Sequence, residues 1–325
     1  MTEPARCAVL NQVVSLLRTL SNAGVARWNA LSPRTRGIML FVNTGICFSA
    51  MNMLSKSLAG RLSFFEVAFF RAIIGWVLVW PFLLTAGWGA LRTNRPLGYI
   101  GRGLGSGIGL LGIFYGLKHL PLVDATAYGF TRNLFVVVLA AIFLQEPIRR
   151  DRSLAAVVGF AGVLIMLRPQ FGVSAGALGA LVGSLAAATV IIIIKKLMDS
   201  EAPVTVMFYF GLATTLITGA PAAYYWTSPT VTELPMLLVM GVLGTAAQTT
   251  MIMAYRLTDA TVLAPFDYLQ LIFASFLGYI AFSELPTAWT ICGAGLIVAA
   301  NLYNIYGDRR VGMAPMDPFF DQASK

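Results

Sequence analysis

Ten apolar runs, each near the length of a membrane-crossing helix, follow one another along this chain with short polar connections between them. They cover roughly residues 38–57, 64–86, 97–117, 122–144, 153–168, 175–197, 204–226, 234–255, 261–283 and 287–306. About 20 apolar residues in a helix cross the ~30 Å hydrocarbon core. The connections carry turn formers such as Pro121, Pro169, Pro203, Pro229 and Pro286, and none is long enough to hold a soluble domain. The pattern therefore predicts an all-α membrane protein with ten transmembrane helices.

Composition agrees. Of 325 residues, 58% are hydrophobic and 11% charged, whereas soluble domains carry about a quarter charged residues. The net charge of +9 raises nucleic acid as a partner, but most basic residues flank apolar runs, where they report membrane topology. Nucleic-acid binding is discounted. With a cytoplasmic N-terminus, the basic residues outside the spans gather on the cytoplasmic side, leaving Lys56, Arg61, Lys118 and Arg168 on the other. Both termini are then cytoplasmic. Residues 1–36 lack a signal-peptide pattern. Val9, Val13, Leu16, Leu17 and Leu20 fit either an interfacial amphipathic helix or a basic arm.

An internal repeat adds a direction. Asp124-Ala125-Thr126 recurs as Asp259-Ala260-Thr261, and eight residues further on stand Arg132 and Asp267. Both pairs share an offset of 135 residues (259 − 124 and 267 − 132). Five helices per half is an odd number, so the halves enter the membrane from opposite faces as inverted repeats, an architecture suited to alternating access. Their expected bounds are 37–168 and 175–306, between a cytoplasmic segment 1–36 and a tail 307–325. The third run carries Gly101, Gly103, Gly105, Gly107, Gly109, Gly112 and Gly116. Such a bare face either packs closely on another helix or borders a cavity.

Charges inside the spans mark the candidate chemistry, because each is costly in the bilayer and faces a cavity or a partner. Arg132 and Asp267 descend from opposite faces and both fall near the midplane. Three readings stand: a structural salt bridge, a substrate-binding pair, or Asp267 as a proton-coupling group. Asn133, Tyr128, Tyr268 and Gln270 are their neighbours and candidate substrate contacts. Pro265 removes a helix hydrogen bond close by. Arg71, five residues past Glu66, either snorkels to the outer interface or lines an outer vestibule. Glu146 and Glu284, each followed closely by proline, read as helix-end residues. No catalytic motif appears. The three cysteines have no paired spacing and His119 is the sole histidine, so neither a metal site nor another cofactor is expected.

Asp124-Ala-Thr-Ala through Leu144-Gln-Glu146-Pro, then Gly159-Phe-Ala-Gly162-Val-Leu-Ile165, resembles the repeat of the EamA-like drug/metabolite transporter superfamily. So do Ala264-Pro265-Phe-Asp267-Tyr268, Gly278-Tyr-Ile-Ala-Phe-Ser-Glu284-Leu-Pro286 and Gly293-Ala-Gly-Leu-Ile297. The resemblance implies a bacterial inner-membrane transporter, with members moving amino acids, S-adenosylmethionine, riboflavin or other metabolites. This chain departs from it where many members carry Ser-Pro and it carries Arg132-Asn133.

The expectation is a secondary transporter of a small polar or zwitterionic metabolite, not an enzyme. Its partners are that substrate and membrane lipid, with proton coupling and a homodimer left open. The alternatives are an intramembrane enzyme, a non-transporting assembly protein or, within transporters, a substrate such as S-adenosylmethionine or riboflavin.

Overall fold

The computed structural model describes residue 28 and residues 31–91, 93, 96–143, 150–167, 174–197, 203–258 and 260–310. The Val9–Leu20 stretch, Glu146, Asp259 and the tail beyond Arg310 lie outside the described residues. Among those described, all regular structure is helical. The first half holds α1 (Pro33–Leu58), α2 (Phe64–Val77), α3 (Trp80–Ala86), α4 (Pro96–His119), α5 (Leu122–Gly129), α6 (Thr131–Phe143) and α7 (Arg150–Leu167). The second holds α8 (Ala175–Leu197), α9 (Pro203–Tyr224), α10 (Glu233–Leu257), α11 (Ala260–Asp267), α12 (Leu269–Phe282) and α13 (Ala288–Arg310). By length and composition, six apolar helical stretches can cross a membrane: 33–58, 64–85, 98–119, 122–139, 175–193 and 233–255. Shorter apolar helices cover 157–167, 269–282 and 288–300.

Local chemistry sets the ends of these helices. Ser32 caps α1 by accepting from the Thr35 amide, and Pro33 occupies a first-turn position whose missing N–H costs nothing. Ser63 and Glu66 form a reciprocal capping box at the start of α2. Three expected spans are interrupted. The first breaks at Leu78–Val79, just before Pro81, whose ring cannot follow a regular helical turn. The other two breaks, at Phe130 and Tyr268, fall inside runs that read as single helices.

Glycines explain the tightest contacts. A methyl group added at Gly112 of α4 would meet backbone atoms of Gly179 and Gly183 of α8 at 2.6–2.7 Å. The bare face of α4 is thus a packing surface, with Gly105, Gly109 and Gly116 also against α8, and Gly103 and Gly107 against α9. Gly162 of α7 and Gly293 of α13 face each other in the same manner.

The helix pairings recur with the halves exchanged. α1 packs on α10 as α8 packs on α4. α6 and α5 lie on α8 as α12 and α11 lie on α1, and α4 meets α9 as α10 meets α2. Not every pairing recurs: α5, for one, packs on α12, whereas no comparable packing joins α11 to α6 among the described residues.

That asymmetry separates the two ends of the bundle. The distal end carries the connections after α1, α4, α9 and α12; the proximal end carries the start of α1. One continuous apolar cluster, including Leu58, Leu62, Val67, Leu117, Leu122 and Leu237, fills the distal end and reaches the centre. Smaller clusters around Phe41 and Leu263, Val79 and Phe208, and Tyr99 lie towards the proximal end.

Candidate functional site

The two interrupted helices meet at their breaks. The rings of Phe130 and Tyr268, the residues at the interruptions, lie 5.1 Å apart at an interplanar angle of 45°. At the first break Phe130 N donates to Ala127 O at 3.1 Å and Asn133 N to Phe130 O at 3.2 Å, a tightened three-residue pattern. Tyr128 O accepts from the Thr131 hydroxyl at 2.6 Å and from the Ser184 hydroxyl of α8 at 2.9 Å. At the second break Leu271 N donates to Tyr268 O at 3.0 Å, and the Ser49 hydroxyl of α1 reaches Gln270 O at 3.3 Å. Each interrupted helix is therefore held by a serine from the first helix of the other half.

The breaks give the repeat a register different from the Asp-Ala-Thr match. They are 138 residues apart (268 − 130), as are Glu146 and Glu284 (284 − 146). In that register Arg132 corresponds to Gln270, and Asp267 to Gly129. The 135-residue coincidence is about one helical turn out of step. Arg132 and Asp267 stand beside the breaks for another reason: one follows its break by two residues, and the other precedes its break by one.

Arg132 is half-buried, and its Nε is buried with no hydrogen-bond partner. Its guanidinium acts electrostatically on the half-buried Asp267 carboxylate. The two form no ion pair within 4.0 Å; among the described residues such pairs are Lys56–Glu284 and Arg61–Glu233. Opposite charges thus sense each other across a gap without closing it.

The other candidates divide. Tyr128 is buried with its ring in the main apolar cluster, and its carbonyl takes the two hydroxyls. Tyr268 carries the contact between the breaks, while Asn133 and Gln270 are half-buried beside them. Arg71 points elsewhere: its Nε lies 3.3 Å from the Met51 sulfur, and a methyl group at Gly244 would overlap its guanidinium. It fills a space between α1, α2 and α10 and does not snorkel to the interface.

Several participants carried no sequence signal of their own. Phe130, Thr131, Ser184 and Ser49 read as ordinary helix residues, and only the break geometry selects them. Glu284 is more than a helix end. Ser283 adopts a left-handed conformation (φ 55°), turning the chain so that Glu284 accepts from Leu122 N at 2.8 Å and pairs with Lys56. Lys56 also donates to Leu120 O at 2.6 Å. This clasp ties α1 and the α4–α5 turn to the end of α12. Glu66 is fully buried, bonding Ser63 N at 3.0 Å and Thr227 N at 2.9 Å, while Arg61 pairs with Glu233. Asp124 accepts from the Thr290 hydroxyl at 2.7 Å, joining α5 to α13.

Comparisons with known proteins agree with this architecture. The EamA-like transporter family model matches residues 35–168 and 174–306. An S-adenosylmethionine uptake transporter of Rickettsia bellii (strain RML369-C) is 34% identical over 283 residues, spanning 87% of this chain and 97% of the relative. The pseudopaline exporter CntI of Pseudomonas aeruginosa (strain UCBPP-PA14) is 31% identical over 269 residues, spanning 81% of this chain and 94% of the relative. A riboflavin transporter of Rhizobium johnstonii (strain DSM 114642 / LMG 32736 / 3841) is 30% identical over 278 residues, spanning 84% and 92%. A solved crystal structure superposes with a TM-score of 0.60 at 19% identity, covering 86% of this chain and 99% of that one, and speaks for the fold alone.

Proposed function

The chain belongs to the EamA-like transporter family, and from that premise we propose that it carries a zwitterionic metabolite of the S-adenosylmethionine type, held between Arg132 and Asp267. It is a multi-pass bacterial membrane transporter and not an enzyme. The fuller reading has ten spans in two inverted five-helix halves, 37–168 and 175–306, with both termini and the proximal end cytoplasmic. The exchanged pairings α1–α10 and α8–α4 support the inversion, and the basic residues around the proximal connections support the orientation.

The observation that carries the substrate reading is the contact between the helix breaks, which brings two opposite charges within electrostatic reach without an ion pair. A guanidinium presents a planar fork suited to a carboxylate, and a carboxylate accepts from an ammonium. An amino-acid moiety offers both groups on one carbon. A half-buried charge pair held apart gains little from its own attraction, so a ligand bridging the gap recovers interactions that the pair alone lacks. Uptake of labelled S-adenosylmethionine into proteoliposomes tests the reading. Saturable uptake that falls in Arg132→Gln and Asp267→Asn supports it, while the same uptake in both variants as in the parent rejects it.

The distal clasp supports alternating access. Lys56–Glu284 is closed and α5 packs on α12 at the distal end, which fits a state closed on that side. The reverse state requires the clasp to separate.

A further inference from the structure

Arg102, a basic residue near the start of the third apolar run, lies within α4 and is only 8% exposed. Its Nε and Nη1 are both buried without a hydrogen-bond partner. One turn along, on the same face, the Ser106 hydroxyl is also buried and without a partner. The guanidinium stands over the Phe210 ring of α9, 5.3 Å from its centroid, which fixes its plane by cation–π attraction. Desolvating a guanidinium without returning its hydrogen bonds is costly. Two unpartnered nitrogens and a hydroxyl on one face are a donor set suited to an anion.

The two arginines differ in depth along the bundle. Arg102 lies six residues into α4, roughly 9 Å from its proximal start, and Ser106 roughly 15 Å from it. Arg132, eleven residues before the proximal end of α6, is at roughly 16 Å. Both arginine-bearing helices rest on α8. Resting on the transport reading above, we propose that Arg102 and Ser106 form a second carboxylate-binding subsite. It would receive the amino-acid end of the substrate on the proximal side, before transfer to Arg132 or after release from it.

Phenylglyoxal labelling of the full-length protein in lipid nanodiscs, mapped by peptide mass spectrometry, tests this proposal. Arg102 should be modified, and S-adenosylmethionine should slow its modification about tenfold or more. The decarboxylated analogue of S-adenosylmethionine should leave the rate unchanged. Protection should persist in Arg132→Gln, which separates the two sites, and exposed Arg61 serves as the unprotected control. Arg102→Gln should raise the KM for proximal-side uptake of S-adenosylmethionine while sparing that of the decarboxylated analogue. Modification of Arg102 that is absent, unprotected, or protected equally by both compounds overturns the subsite. Flux of the parent protein in proteoliposomes distinguishes the two readings. Saturable flux without carboxylate-dependent protection of Arg102 removes the subsite alone; such protection without flux removes the transport reading alone.

Discussion

The two ends of this bundle are built from similar helices and closed by different means. At the distal end, one apolar cluster, the Lys56–Glu284 clasp and the Arg61–Glu233 pair hold both halves together. Towards the proximal end the apolar residues form separate clusters, and the half-buried Arg36 and buried Arg102 keep guanidinium nitrogens without partners. One continuous apolar cluster and paired charges mark the distal end; separate clusters and unpartnered guanidinium nitrogens mark the proximal one. The Arg132–Asp267 pair stands between these ends, beside the two helix breaks, where the proposed substrate is held.

The largest effect on this arrangement is expected from the central charges. Arg132→Gln or Asp267→Asn should lower S-adenosylmethionine uptake by about 10- to 100-fold, the loss of one hydrogen-bonded charge contact of about 1.5–3 kcal/mol. Proteoliposome flux of folded variants, checked by size-exclusion profile, measures it. Opening the distal seal comes next. Glu284→Gln removes the Lys56 ion pair and weakens the acceptor of Leu122 N, so a cysteine introduced at Leu122 should react with a membrane-impermeant maleimide severalfold faster from the distal side. Smaller again is Ser184→Ala, which takes one of two hydroxyls from the buried Tyr128 carbonyl; about 1 kcal/mol of stability should be lost, read as a lower Tm in detergent. Arg61→Gln should do least. Exposed ion pairs are worth about 0–1 kcal/mol, and transport should hold within about twofold in the same flux assay. If Arg61→Gln instead matched Glu284→Gln, the exposed pair would be as much a part of the seal as the clasp.

Much of the fold was legible from residue patterns alone. Apolar run lengths located the helices to within a few residues, and the glycine face of α4 offered close packing as one of two readings, the one its contacts with α8 and α9 match. The breaks were hidden because hydropathy is blind to them. Pro265 hinted at the second, but the first half has no proline there, and its helix is interrupted all the same where Thr131 and Ser184 take the Tyr128 carbonyl. The site was half legible. Arg132 and Asp267 stood out as charges in apolar runs, but the spacing that drew attention to them was out of register by about a turn. Arg71 proved to contact α1 and α10, and the buried setting of Arg102 could not be read from its place near the start of an apolar run. Distinguishing a buried arginine from an exposed one takes the packing of the neighbouring helix, here Phe210 of α9.

Counterflow of labelled S-adenosylmethionine in proteoliposomes, comparing the parent protein with Arg132→Gln and Asp267→Asn, reaches the centre of the matter most directly. A substrate held between the two charges predicts saturable exchange in the parent and a loss of about tenfold or more in each variant. Exchange no faster than in protein-free liposomes, or equal in all three proteins, would contradict it.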